Sequence, residues 1–479
     1  MKRNIIISAF LLLALSSSFC AKAQDVLERN DLIYHAIRFP QSNQLNPAFF
    51  PVQTTAYVTL PRFNFSFGMP FSYNDLNITQ DPTTKRYKLS ANRLSELLQD
   101  KSSKLHANVT LDILGFGFRV KNLFFTFNTS AVVDASLKLP EELFEFLDKG
   151  NSNHLGANNE LDINISDLAR EISYTKIQIG AGYTLPVIPL TLGAHINILD
   201  GIYQVSTDDS HLKLYTANDY STIRADLDYN LRGAGLLDVE TEVGGNDKTQ
   251  VKVSGMPLNM GFTFDLGAKY EWKGLCLSAS LLDVGPGIHW QQNVVKLTNA
   301  NPNTSITFNG MDLQNLLQGG QLDPDFLKKY GDTLSAMIKP AEVEGEDYWY
   351  TIPSKINVGA SYTYRDLVRV GLLFHGEWER GLMCAGKGWN ATKEDFRFNT
   401  TASLSVNVFN WLELMVANSF VFSGPKKDLI NPGFGINFAP AGAVQLYLMC
   451  DYISDLYLAK DKDVNIFLGL NIMIGKGEK

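Results

Sequence analysis

From about Arg62 to its C-terminus the chain alternates apolar and polar residues, in runs of roughly nine to thirteen, long enough to cross a membrane as tilted strands. Successive side chains of a strand point to opposite faces. In Gly261–Trp272, one face therefore carries Phe262, Phe264, Leu266, Ala268, Tyr270 and Trp272, and the other Gly261, Thr263, Asp265, Gly267, Lys269 and Glu271. The first face suits lipid, with two aromatics at one end where an interfacial belt would lie; the second suits a wet lumen. The same division sets Phe63, Phe65 and Phe67 against Arg62, Asn64 and Ser66, and Ile356, Val358, Ala360 and Tyr362 against Lys355, Asn357, Gly359 and Ser361. It returns around Ile177–Leu185, Phe396–Val408 and Val464–Ile474. A soluble sandwich has shorter strands and would not repeatedly gather aromatics on its apolar face. In lipid an open sheet edge leaves backbone groups unpaired, so such strands must close. The pattern predicts an all-β fold: a transmembrane antiparallel β-barrel of about 14 strands, with an N-terminal plug and a few short loop helices.

Composition agrees. With 45% hydrophobic residues and a mean hydropathy of −0.07, no stretch after the N-terminus has the apolar length of a spanning helix. The N-terminus has the layout of a secretory signal peptide (residues 1–23). Lys2 and Arg3 precede an apolar core from Ile5 to Leu15, and Ala21-Lys22-Ala23 precedes Gln24. A lipoprotein anchored at Cys20 is the rival reading, against which Phe19 stands where a small residue is usual. Removing Lys2, Arg3 and Lys22 from the 42 basic residues takes the formal net charge from −8 to −11, a poor balance for binding nucleic acid. Cys276, Cys384 and Cys450 then remain, too few and too widely spaced for a disulfide framework or a zinc site.

Several segments break the alternation. Residues 24–54 precede the first strand and are expected to enter the barrel as a plug, or else to form a flexible leader. Pro140–Lys149 reads as a short helix, with Glu141 and Glu142 in its first turn and Gly150 ending it. The rest of the chain, 55–479, is assigned to the barrel. Within it, 301–347 reads as a long, partly helical loop, with helices expected over Met311–Leu317 and Pro324–Ile338 and a solvated acidic run at Glu342, Glu344, Glu346 and Asp347. Leu185–Leu190 carries two prolines and marks either a turn or a place where the wall opens. Short turns are expected at Tyr364–Leu367, Phe409–Trp411 and Ala439–Gly442.

None of the nucleophile-elbow, phosphate-loop, dinucleotide or zinc-protease motifs is present, so no catalytic residue, metal ligand or cofactor is assigned. His195 and His375 fall on polar strand faces. Asp265, Lys269, Glu271, Arg369, His375, Glu377 and Arg397 are expected to face the lumen, giving it a mixed charge suited to holding a plug or narrowing a channel.

Leu45-Asn46-Pro47-Ala48, just ahead of the first strand, resembles the Asn-Pro-Ala element of the FadL-like outer-membrane transporters, a superfamily that includes the PorV-type barrels of type IX secretion. Leu281-Leu282-Asp283-Val284-Gly285 resembles a strand end of the same group. The Pro140–Gly150 helix, followed by Asn151, resembles a feature of an uncharacterised family of such barrels without assigned function. The resemblance implies a 14-stranded barrel of the Gram-negative outer membrane, with Asn46, Pro47 and Ala48 in an internal hatch, and hydrophobic cargo leaving sideways through the wall. The fatty-acid-binding residues of that group find no counterparts here.

Two functions follow. One is passive transport of a hydrophobic or amphipathic small molecule, which predicts an apolar pocket beside the plug and a gap in the wall. The other is a non-enzymatic scaffold or partner barrel for secretion or surface proteins, which predicts a sealed wall and a protein-binding loop surface. The expected partners are outer-membrane lipid with either that small molecule or those proteins, and no nucleic acid.

Overall fold

A computed structural model describes residues 31–475, except 53, 70, 77–78, 81–86, 89–92, 94–95, 98–103, 150–158, 219–221, 243–247, 254–257, 300–304, 310–336, 338, 385–387, 390–395, 422–427, 441–442 and 452–462. The expected signal peptide, the two helices expected within 311–338 (apart from Met337) and the first seven residues of the expected plug lie outside the described residues.

Fourteen strands close into one antiparallel barrel. They are β1 (Ala56–Thr59, continued by Arg62–Gly68), β2 (Lys104–Val120), β3 (Leu123–Lys138), β4 (Ala169–Thr184), β5 (Leu190–Thr207), β6 (Asn259–Trp272), β7 (Leu275–Trp290), β8 (Ser354–Tyr364), β9 (Val368–Trp378), β10 (Phe396–Phe409), β11 (Leu412–Val421), β12 (Asp428–Phe438), β13 (Val444–Asp451) and β14 (Asp463–Ile474). Each pairs with its sequence neighbours. The seam closes where β1 meets β14, with Phe63 opposite Leu468 and Phe65 opposite Ile466. No edge is left, as a lipid-embedded sheet requires.

The burial pattern is that of a soluble protein turned inside out. Along β6, Phe262, Phe264 and Leu266 are exposed while Thr263 and Asp265 are buried. Asn64, Asn197, Asn357, Asn399 and Asn471 are likewise buried inside the wall, and Phe116, Phe118, Leu192, Val370 and Leu446 stand exposed outside it. An apolar exterior of this kind is stable only against hydrocarbon. No helix among the described residues is long and apolar enough to cross a membrane.

Connections at one mouth are short. Arg365 and Asp366, both at positive φ, lead the tight turn 365–367 between β8 and β9 and give it the twist that right-handed hairpins favour. Lys273-Gly274 does the same between β6 and β7. Residues 185–189 are a turn between β4 and β5, closed by the Leu185 amide on the Leu190 carbonyl at 2.8 Å. The wall does not open there. The opposite mouth carries the long connections. The 16 residues of β4 and 18 of β5 overshoot the apolar band on that side and run on into a four-stranded sheet of Glu160–Asn164, His211–Thr216, Thr222–Asp228 and Ser305–Asn309. The helix Glu141–Lys149 packs Phe146 and Leu143 against Ile163, Leu214 and Ala225 of this sheet, forming a cap with its own small core. Two segments of the expected loop 301–347 are strands instead: Ser305–Asn309, and Pro340–Glu344, which pairs with Val295–Asn299. Glu342 and Glu344 thus belong to a ladder, because the wall extends beyond the membrane here and gives them a partner strand.

Candidate functional site

Residues 31–52 and Thr54 fill the short-turn half of the lumen. Two one-turn helices, α1 (Asp31–Tyr34) and α2 (Ser42–Leu45), bracket a compact coil. One side of this plug is greasy: Leu32, Ile33, Ala36 and Phe39 pack on Met415, Ala417, Tyr447, Met449 and Phe467, inward-facing residues of β11, β13 and β14. The other side is held by hydrogen bonds. Asp31 accepts from Asn399 (2.9 Å), Thr401 (2.6 Å) and Ser419 (3.1 Å). Gln41 and Asn471 exchange amide bonds at 2.7 and 3.0 Å.

Asn46, Pro47 and Ala48 are buried at the centre of this seat. The Asn46 side chain accepts the Ala48 amide at 2.9 Å, an Asx turn that folds the chain back on itself, and donates to the Ala279 carbonyl (3.1 Å) and the Tyr34 hydroxyl (3.2 Å). The wall approaches so closely that only glycine fits. A Cβ on Gly193 would lie 2.1 Å from the Pro47 carbonyl oxygen, and one on Gly267 2.2 Å from Asn46 Oδ1. Gly359 and Gly371 make the same room for Tyr34 and His35.

The other residues expected in the lumen divide into four groups. Arg369 is a plug anchor, donating to the His35 carbonyl at 2.7 Å and to Thr363 Oγ1 at 2.9 Å. His375 acts one step back: its Nδ1 meets Asn357 Oδ1 at 2.7 Å, and Asn357 in turn donates to the Leu45 carbonyl at 3.2 Å. Asp265 is wholly buried beside His195 (3.1 Å). Glu377 and Arg397 line an open chamber above the plug, where Arg397 donates to Glu379 at 2.8 Å. Lys269 is buried near the short-turn mouth and pairs with Glu271 at 3.2 Å. The Glu271 side chain is about half exposed (47%), because it lies next to the end of β6, one residue past the last pairing with β5, where the lumen opens to the short-turn mouth.

The chamber is a vestibule of about 160 Å³ between the plug and the long-loop mouth. Its floor is Gln44 and Leu45. One side is apolar and aromatic, with Ile172, Tyr174, Leu282, Tyr350 and Ile352 backed by the fully buried Trp290. The other is charged and paired: Arg62 with Asp112 (2.7 Å), His106 with Asp134 (2.8 Å), and Glu379 with Lys104 (2.9 Å). Lys176 with Asp283 (2.6 Å) stands where the two sides meet. None of these eight residues was singled out as a lumen charge from the sequence, although Arg62 lies on the polar strand face expected for it.

Asp283 lies at the main irregularity of the wall. Two register shifts separate Phe262 from Leu266 in the β6–β7 ladder, and Asp283 and Gly287 adopt positive φ. On the other side, β7 pairs with β8 only as far as Leu282, then with Tyr348–Tyr350 from Ile288 onward. Residues 283–287 therefore lack a continuous ladder toward β8, well away from Leu185–Leu190, where the sequence left either a turn or an opening of the wall. The gap is closed by packing: a Cβ on Gly287 would lie 2.0 Å from the Tyr350 carbonyl oxygen, and Ser354 Oγ donates to the Asp283 carbonyl at 2.9 Å. Among the described residues no cluster of His, Cys, Asp or Glu is arranged to hold a metal, and Cys276 and Cys450 are free thiols.

Residues 47–451 match a family of unknown function (DUF5723). A comparison with curated proteins finds no match. Solved structures similar to the chain include the toluene transporter TodX of P. putida, at 9% identity and TM-score 0.42, covering 90% of this chain and 93% of that one. A FadL homologue of Pseudomonas aeruginosa is 10% identical with TM-score 0.42, covering 91% and 93%. The toluene transporter TbuX of Ralstonia pickettii is 9% identical with TM-score 0.44, covering 91% and 94%.

Proposed function

We propose that this chain, which belongs to the DUF5723 family of unknown function, is a non-enzymatic outer-membrane barrel for passive transport of an amphipathic small molecule. The two-sided vestibule carries the reading. A purely apolar cargo would strip water from the ion-paired side without replacing its hydrogen bonds, and a fully polar one would leave Ile172, Tyr174 and Tyr350 without an apolar partner. A molecule with a polar head and a body of about one ring suits the volume, since cavities of about 150 Å³ hold benzene. Asn46, Pro47 and Ala48 serve as the hatch below it, and the unladdered stretch 283–287 is the place where an apolar body could pass sideways into lipid once the packing relaxes.

The folded cap favours a second reading, a scaffold for secretion or surface proteins, because a helix with its own core on a four-stranded sheet presents a fixed surface at the long-loop mouth. Native mass spectrometry of the protein, extracted from its own membrane in mild detergent, separates the two. The transport reading expects a bound amphiphile that is lost when Tyr350→Ala and Ile352→Ala together remove the apolar side. A barrel that is empty of small molecules and carries a stoichiometric protein partner would replace it with the scaffold reading.

A further inference from the structure

The transport reading needs the plug to be released, and a chain of buried polar groups links the plug to the irregular stretch of wall. His195 of β5 stands at its centre. Its side chain is fully buried and lies flat against Gly180, where a Cβ would come within 2.2 Å of the ring. Its Nε2 meets Asn43 Oδ1 of the plug at 3.1 Å, and its Nδ1 meets Asp265 Oδ2 at 3.1 Å.

Both partners are acceptors. The Asn43 amide nitrogen is committed to the carbonyls of Phe49 (2.8 Å) and Pro47 (3.3 Å), which turns its oxygen toward the imidazole. Asp265 accepts on both oxygens, from Gln178 (3.0 Å), Asn197 (2.9 Å) and the Asp283 amide (2.7 Å). A neutral imidazole has one N–H and can satisfy only one of the two acceptors; the imidazolium satisfies both. We propose that His195 is a proton-operated latch: protonated, it bridges plug and wall through Asn43 and Asp265, and on losing its proton it gives up one of those bonds and unseats the Asn43–Phe49 turn.

The charged groups around the latch include Asp265 on β6, Asp283 on β7 and Lys176 on β4, with Lys176 bound to Asp283 at 2.6 Å and Lys355 of β8 lining the same chamber. The plug side contributes the neutral Asn43. Through the Asp283 amide, the same carboxylate that holds His195 also holds the bulge in β7, so release of the plug and loosening of residues 283–287 are coupled.

The test is hydrogen–deuterium exchange of the intact protein in detergent at about pH 5 and about pH 8, the range over which an imidazole changes charge. Rates are corrected for the intrinsic pH dependence of exchange. Protection of the amides between Asn43 and Phe49 should fall about tenfold at the higher pH, the weight of one charge-assisted buried hydrogen bond. The pH dependence should vanish in His195→Gln and, should that variant fold poorly, in Asn43→Ala. Equal protection at both pH values in the wild type, or a pH dependence that survives in both variants, would overturn the latch. The readout involves no solute. Protection that responds to pH in a protein that passes nothing into liposomes would leave the latch standing and remove the transport reading on which its purpose rests.

Discussion

The two halves of the lumen solve opposite problems. The short-turn half is filled: glycines at 193, 267, 359 and 371 let the plug touch bare backbone, and an apolar patch from β11, β13 and β14 seals one side. The long-loop half is left open, and its charges are matched wall to wall rather than to the plug. The lesson is that a polar lumen face carries two different instructions. Where it alternates with glycine it receives chain; where it alternates with long charged side chains it keeps a space. Arg62 sits on the border, ion-paired with Asp112 and also donating to Gln44 of the plug at 3.0 Å.

The sharpest way to break this contrast is to make the filled half reject its plug. Gly193→Val places side-chain atoms where the Pro47 carbonyl lies, an overpacking cost of about 3 kcal/mol or more. Plug seating should weaken by about a hundredfold, seen in planar bilayers as a closed barrel becoming a steadily conducting one. Arg62→Met strands the Asp112 carboxylate on the border and should cost about 3 kcal/mol in urea unfolding. The double variant with Asp112→Leu should regain most of it, and a double variant as weak as the single would show that the pair is not the unit. Asn46→Ala removes the Asx turn and the bonds to Ala279 and Tyr34, leaving buried partners unmet at about 2 kcal/mol. The plug should become sensitive to trypsin at lower urea while the barrel's own transition stays put.

The smallest effect lies outside both halves, in the cap. The hydrogen bond from His211 to Asp162 raises the His211 pKa above its ordinary value, with Asp209 adding to it. A raised folded-state value means that the pair stabilises fully below the unfolded value of about 6.5 and loses its contribution as pH climbs through the folded one. The pair is at the surface and worth under about 1 kcal/mol. Cap proteolysis should be slightly slower at about pH 6 than at about pH 8, and the difference should disappear in His211→Gln.

Much of the wall could be read from the sequence because two solvents, lipid outside and water or plug inside, impose a period of two on every strand. Phe262 and Asp265 could each be placed without knowing their neighbours. The pairings inside could not. Arg62 finds Asp112, and Lys104 finds Glu379, only through the shear and closure of the barrel, which no local pattern encodes. The bulge at Asp283 was hidden for a related reason: Leu281–Gly285 reads as an ordinary strand end, and its irregularity shows only against β6 and β8. Glu271 follows the same alternation, but next to the end of β6 its side chain is half exposed to the short-turn mouth, which a period of two does not reveal. The plug seat was the most recoverable of the missed features, since Gly193, Gly267, Gly359 and Gly371 all fall on polar strand faces where a side chain would ordinarily stand.

The most direct test of the account is solute flux into proteoliposomes that hold the wild-type protein, comparing a small aromatic acid or amine with a sugar of similar size. A seated plug beneath a two-sided vestibule predicts entry of the aromatic amphiphile above the protein-free background and no entry of the sugar. Equal entry of both would mean that the plug does not close the pore, and entry of neither would mean that the barrel does not transport amphiphiles.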